Sequence, residues 1–197
     1  MDMSDAHRVR QQGRLFYLMG ASGAGKDSLM AYARERLESR GRIHFARRHI
    51  TRPAGSGGED HVAVSIAEFE RRLQEGLFAM HWNSHGLRYG VGREIATWLA
   101  AGHDVVVNGS RAYLPEARRL FPELVGVLVT ATEAVRRERL RSRGREDAAA
   151  VDRRIARGAE LQGPLLDSVR VIANEGPLEE AGEQLVVLLL GEEGACD

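Results

Sequence analysis

Seven consecutive residues, Gly20-Ala21-Ser22-Gly23-Ala24-Gly25-Lys26, carry the clearest chemistry in this chain. They fit the pattern G-x-x-x-x-G-K, between an apolar run that reads as a strand and a stretch that reads as a helix. Glycines let backbone N–H groups turn inward around phosphate oxygens, and the start of the following helix adds a favourable dipole. Lys26 offers a compact point charge to the β- and γ-phosphates of ATP. Of 28 basic residues, 27 are arginine and Lys26 alone is lysine. A planar guanidinium is a poor substitute in so tight a cradle. The motif therefore implies ATP held by residues 20–26, with a magnesium ion beside it. The position after the lysine, normally Ser or Thr for that ion, is Asp27, and Ser28 follows. Asp27 as a hard-cation ligand, Ser28 as a shifted hydroxyl, and Asp27 as a plain first-turn acid all stay open.

A second cluster is basic. Ala134 to Arg157 holds nine arginines against four acids, in a chain whose net charge is zero. Arg136, Arg139 and Arg143 recur at i, i+3, i+7 on one helix face, and Gly144 ends that helix. A mobile arginine-bearing lid over about 136–157 would neutralise a moving phosphoryl group and exclude water. Arg139 and Arg143 join Lys26 as the expected catalytic cations; Arg137 and Arg141 read as solvated. The loop Asn174-Glu175-Gly176-Pro177 follows the last expected strand. Asn174 there either borders the adenine or sits in a plain strand-to-helix turn.

These residues need a scaffold. Leu15 to Met19 reads as a buried strand, and Leu29, Ala33 and Leu37 mark the helix after the loop, closed by Gly41. His44 to Thr51 is expected as a second strand, and His61 to Val64 as a short one. A helix capped by Ser65 follows, with Glu68 completing a capping box. Val105 to Val107, Leu124 to Val129 and Val169 to Ile172 are further apolar runs alternating with helical stretches. Such alternation implies βαβ units and a mostly parallel sheet covered on both faces. Residues 47–92 break the alternation and look like a small insertion. The chain of 197 residues reads as one domain over 14–190, with residues 1–13 and 191–197 as flexible termini.

Composition narrows the class. Hydrophobic residues at 43% and charged residues at 28% are ordinary for a protein with a real core. Zero net charge argues against a nucleic-acid coat or a membrane-surface protein. The one cysteine, Cys196, can form neither an internal disulfide nor a zinc site, which points to a reducing cytosol. The longest apolar run, Leu185 to Leu190, is far short of a membrane span.

With these blocks in place, the chain resembles the guanylate kinase branch of nucleoside monophosphate kinases. Carrying the likeness are Gly20 to Lys26, Thr51-Arg52-Pro53, Gly58-Glu59-Asp60-His61, Val64-Ser65, Glu68-Phe69, Gly76-x-Phe78, Tyr89-Gly90 and Arg139 to Gly144. The resemblance implies a three-layer α/β/α fold with a five-stranded parallel core, an acceptor-binding insertion and a lid. The acceptor positions depart from that branch. Met80 stands where guanylate kinases place a guanine-reading glutamate, and Val91 where a hydroxyl follows Tyr-Gly. Ser110 replaces an aspartate near the end of the central strand, and His61 replaces a tyrosine. Without base-edge partners, discrimination for guanine is lost.

Within the branch, the chain is similar to the ribose 1,5-bisphosphate phosphokinases. The blocks are Gly-x-Ser-Gly-x-Gly-Lys-Asp-Ser-Leu at 20–29, Thr-Arg-Pro-Ala at 51–54, Gly-Gly-Glu-Asp-His-Val-Ala-Val-Ser at 57–65, His-Gly-Leu-Arg-Tyr-Gly at 85–90 and Val-Val-Val-Asn-Gly-Ser-Arg at 105–111. This resemblance implies transfer of the ATP γ-phosphoryl to a sugar bisphosphate, giving 5-phosphoribosyl 1-diphosphate in phosphonate utilisation. The residues suit such an acceptor. Arg52, Arg88 and Arg111 can pair with phosphate in bidentate fashion. Glu59, Asp60, His61 and Asn108 can exchange hydrogen bonds with sugar hydroxyls, and Tyr89 can set its phenol against a phosphate. His85 and Arg88 also fit plain packing and surface roles; His49 and His81 read as structural. The expected partners are small molecules, with neither nucleic acid nor membrane; a homodimer stays open. A nucleotide or small-sugar kinase, and a catalytically idle interaction module, are the rival readings.

Overall fold

The structure is a computed structural model and describes residues 12–55, 59–142, 152, 155, 156 and 169–191. Arg143, Gly144, Cys196 and most of the expected lid lie outside the described residues. So do residues 1–11 and 192–197 of the expected termini.

In chain order the elements are β1 (Leu15–Gly20), α1 (Lys26–Leu37), β2 (Ile43–Phe45), β3 (Arg48–Ile50), β4 (Val62–Ala63), α2 (Ile66–Gln74), β5 (Phe78–Ser84), β6 (Leu87–Gly92), α3 (Glu94–Ala100), β7 (Asp104–Asn108), α4 (Leu114–Leu120), β8 (Val125–Thr130), α5 (Glu133–Ser142), β9 (Arg170–Ala173) and α6 (Leu178–Leu190). Two sheets form. The larger has order β2-β7-β1-β8-β9, with every pairing parallel. The smaller has order β4-β3-β6-β5 and is mostly antiparallel.

The larger sheet is covered on both faces, so its strands are apolar throughout rather than alternating. Phe16, Leu18, Val127 and Ile172 pack against Leu29, Ala33 and Leu37 of α1 and Leu185 and Leu189 of α6. Leu15, Tyr17 and Met19 face the other way, toward Ile95, Leu99 and Leu114. Met80, Trp82, Tyr89 and Val91 of the smaller sheet share that second core. The insertion is thus held by the same packing as the main sheet. Each of these large side chains contributes about 1.5–3 kcal/mol when fully buried.

The expected strand over 44–51 divides in two. Ile43–Phe45 joins the edge of the larger sheet, while Arg48–Ile50 pairs with β6 in the smaller one. Ala46 is the hinge: it is buried, and its N–H donates to the Val106 carbonyl, the last rung of the larger sheet. Apolar periodicity alone does not reveal that one run serves two sheets. The capping box forms by half. Ser65 Oγ accepts from the Glu68 N–H at 3.1 Å. The Glu68 carboxylate turns instead to Arg71 and Arg72, where two guanidinia outcompete one backbone N–H.

β1 lies between β7 and β8. Its carboxyl end is the point where the sheet order switches direction, the usual place for a ligand crevice in such sheets.

Candidate active site

At that end of β1 the chain turns through the glycine loop into α1. Gly25 caps α1 in the left-handed region at φ 91° and, being glycine, brings no side-chain cap to the helix N-terminus. The first N–H groups of α1 are therefore left for an incoming anion. A Cβ on Gly25 would stand 2.2 Å from Asn174 Nδ2, so the loop needs glycine for space as well as for conformation. Asn174 is 2% exposed. Its Nδ2 donates to the Ala24 carbonyl at 2.8 Å. Arg139 Nη1 donates to the Asn174 carbonyl at 2.9 Å. Asn174 thus ties the glycine loop to the arginine of α5.

Lys26 Nζ donates to the Gly20 carbonyl at 3.0 Å, curled back over its own loop. Burial pushes its ammonium down to about 8; Asp27 pulls the other way, and Arg48 and Arg111 add to the fall. An ATP phosphate would restore the charge. In the ligand-free protein the lysine loses its proton as pH rises through 8, so affinity must fall there. ATP binding without added magnesium is expected to be about tenfold weaker at pH 9 than at pH 7. Calorimetric titration checks this. The slope should vanish in Lys26→Ala.

In front of the loop lies a cavity of about 420 Å³. Lys26, Arg48, Arg52 and Arg111 line it, against the carboxylates of Asp27 and Glu59. Four cations facing two anions in a half-enclosed space suit a ligand with several negative charges. Burial and the nearby Arg136 guanidinium push Arg111 down from its usual range. Arg136 is itself 4% exposed, its Nε and Nη1 find no hydrogen-bond partner among the described residues, and its backbone abuts Gly23.

The two ends of the cavity are joined by one amide. Asn108 Nδ2 donates to Asp27 Oδ1 at 2.8 Å and reaches Glu59 Oε1 at 3.4 Å. Gly109 follows; a Cβ there would lie 2.1 Å from the Tyr17 ring. That close approach lets Tyr17 Oη accept from the Ser110 N–H at 2.8 Å and donate to the Ser110 carbonyl at 3.0 Å. Glu59 in turn holds Arg48, whose Nε donates to Oε1 at 2.6 Å and whose Nη2 donates to Oε2. Arg52 Nη2 stands 3.7 Å from the same carboxylate.

The sequence-predicted residues divide. Gly20 to Asp27 except Ala24, together with Arg52, Glu59, Tyr89, Asn108 and Arg111, line the cavity. Ala24 is buried behind the loop, and Ser28 is exposed on α1. Arg139 docks at Asn174 beside the loop, and Arg143 lies outside the described residues. Three expected acceptor residues do not line the cavity. Asp60 turns outward to Arg47 at 2.9 Å and Arg34 at 3.6 Å. Arg88 pairs with Glu70 of α2. His61 is buried, its ring nitrogens 3.0 Å from the Glu59 carbonyl and 3.2 Å from the Arg52 carbonyl, so it braces the segment carrying both. Asn174 follows β9 directly, buried, with its amide Nδ2 held by the Ala24 carbonyl. Arg48, Trp82 and Ser84 line the cavity without having been singled out.

A parallel sheet with a glycine loop at its switch point and a cation-lined cavity defines a P-loop kinase. The guanylate kinase of Anaplasma phagocytophilum has the same fold, with a TM-score of 0.67 and 20% identity, covering 93% of this chain and 88% of that one. No family model matches the chain. Among curated relatives, the ribose 1,5-bisphosphate phosphokinase PhnN of Thiobacillus denitrificans is 55% identical over 178 residues, covering 90% of this chain and 93% of the relative. That of Desulfomicrobium baculatum is 53% identical over 179 residues, covering 90% and 94%. The chain belongs to the ribose 1,5-bisphosphate phosphokinase family.

Proposed function

We propose that the protein transfers the γ-phosphoryl group of ATP to the 1-phosphate of α-D-ribose 1,5-bisphosphate. An oxygen of that phosphate attacks the γ-phosphorus, and the bond to the β–γ bridging oxygen breaks. The products are ADP and 5-phospho-α-D-ribose 1-diphosphate. A phosphate oxygen is already ionised near neutral pH, so no strong general base is needed. Positioning and charge stabilisation supply the rate.

The observation that carries this reading is the acceptor end of the cavity, where Arg48 and Arg52 gather around Glu59. It offers guanidinia to phosphate and carboxylate and amide groups to sugar hydroxyls. The guanylate kinase reading lacks support there. Met80 and Val91 are wholly buried in the second core, so neither presents a polar group to a base. An idle interaction module has no use for Lys26 and Arg139 converging on one glycine loop. The relatives at 53–55% identity carry the name of the proposed activity. A place in phosphonate utilisation and a cytosolic setting belong to the same proposal; among the described residues no helix is long and apolar enough to cross a membrane.

Magnesium fits the donor set. Among the described residues no cluster of three or more His, Cys, Asp or Glu could cage a metal. Magnesium keeps waters and shares phosphate oxygens, so one carboxylate suffices. Asp27, steadied by Asn108, would hold the ion, directly or through water, with the Ser28 hydroxyl as the alternative. The ion would offset charge on the β- and γ-phosphates. Asp27→Ser is expected to shift the magnesium concentration for half-maximal rate upward by about tenfold. An unchanged magnesium titration returns Asp27 to the role of a helix-start acid.

The test of the reaction is one panel measuring ADP release with ribose 1,5-bisphosphate, GMP, AMP, ribose 5-phosphate and gluconate. Turnover should be confined to the bisphosphate. Robust turnover of GMP with none of the bisphosphate sinks the proposal.

A further inference from the structure

We propose that Arg48 selects the acceptor by pairing with the phosphate at its non-reacting end, the one on C5. The inference deepens the proposed reaction and rests on it.

Arg48 is a half-buried cation with a rigid setting. Its side chain is 11% exposed and that of Glu59 is 12% exposed. Glu59 takes the edge formed by Nε and Nη2. A guanidinium carries five N–H donors in a fixed fork, so the Nη1 pair is not used by that carboxylate. The flat face is held as well. Arg48 Cζ lies 4.9 Å from the Tyr89 ring centroid and 5.9 Å from that of Trp82. The two rings are stacked at 5.6 Å with planes 3° apart. A guanidinium fixed by an anion on one edge and by aromatic rings on its face loses little further freedom on binding. A second oxyanion, from a phosphate, would complete it. A nucleobase edge brings no negative charge to such a site.

The topology assigns the end of the acceptor. Lys26, the glycine loop and Arg111 belong to the larger sheet, and the γ-phosphoryl group must rest there. The phosphate that attacks must abut it. Arg48, Arg52, Trp82 and Tyr89 line the same cavity from the insertion. The other phosphate of the sugar therefore falls to them. Asn108, bonded to Asp27 on one side and near Glu59 on the other, fixes the spacing between the two ends.

The test uses Arg48→Lys and the paired change Arg48→Met with Glu59→Gln, which avoids stranding a buried carboxylate. Thermal melting confirms folding of each. For the pair, KM for ribose 1,5-bisphosphate should rise at least about thirtyfold, and for Arg48→Lys about tenfold. KM for ATP should stay within about twofold in both, since Arg48→Lys keeps the charge near Lys26 and the paired change removes one charge of each sign. Calorimetry then separates the ends. Ribose 5-phosphate should bind the wild type and lose affinity in both variants, while ribose 1-phosphate should be unaffected. An unmoved acceptor KM, an ATP KM rising in step, a wild type that binds no ribose 5-phosphate, or loss of ribose 1-phosphate binding instead each overturns the assignment. Arg48-dependent binding of ribose 5-phosphate by a protein that does not phosphorylate the bisphosphate would sink the reaction and leave Arg48 in place.

Discussion

Replacing Lys26 by alanine is expected to lower kcat/KM by about a thousandfold, while the protein stays folded. The ammonium sits where the glycine loop would place the β- and γ-phosphates, and it is the one lysine of the chain. Arg48 and Arg52 are committed to Glu59 on the far side, and Arg139 to Asn174. Burial already pushes the Lys26 ammonium down to about 8, so its charge is held at a cost to the empty protein. Removing it should therefore not lower the thermal midpoint. Lys26→Arg should rescue poorly, because a planar fork cannot replace a point charge between backbone N–H groups. Steady-state kinetics beside a thermal melt checks all three statements. A loss below tenfold would remove the glycine loop from the reaction.

Arg139→Ala is expected to lower kcat by about a thousandfold and to change ATP affinity by no more than about threefold. In the ligand-free protein Arg139 rests on the Asn174 carbonyl, a neutral acceptor beside the last glycine of the loop. It would thus be parked next to the place where negative charge spreads in the proposed transfer, and among the described residues no carboxylate holds it. That favours an interaction made chiefly in the transition state, which appears in kcat rather than in binding. Single-turnover kinetics with a separate measurement of ATP binding tests it. A loss confined to ground-state binding would make Arg139 a substrate-holding residue.

The donor half of the site was legible in the sequence because it is contiguous. Gly20 to Lys26 is one run, and its strand and helix flanks follow from local apolar spacing. The acceptor half comes from five separate stretches meeting across two sheets, and local pattern says little about which side chains converge. Asp60 and His61 adjoin Glu59 in sequence, yet only Glu59 points into the cavity. His61 is drawn under the loop by two carbonyls, and Asp60 outward by Arg34 and Arg47. Arg88 sits one residue before Tyr89 on a strand, and alternation sends the two to opposite faces. Arg48 was hidden in a run that reads as one strand; the division at Ala46 turns it inward. Asn174 looked like a loop residue at a nucleotide edge, and its burial against Ala24 becomes visible only once β9 is placed beside β8.

The most direct measurement is a phosphorus NMR spectrum of the protein incubated with ATP, magnesium and α-D-ribose 1,5-bisphosphate. The proposed reaction gives coupled diphosphate doublets on C1 of the sugar, a retained 5-phosphate singlet and ADP in equal amount. A sugar left with two singlets, under conditions where GMP is converted to GDP, would contradict it.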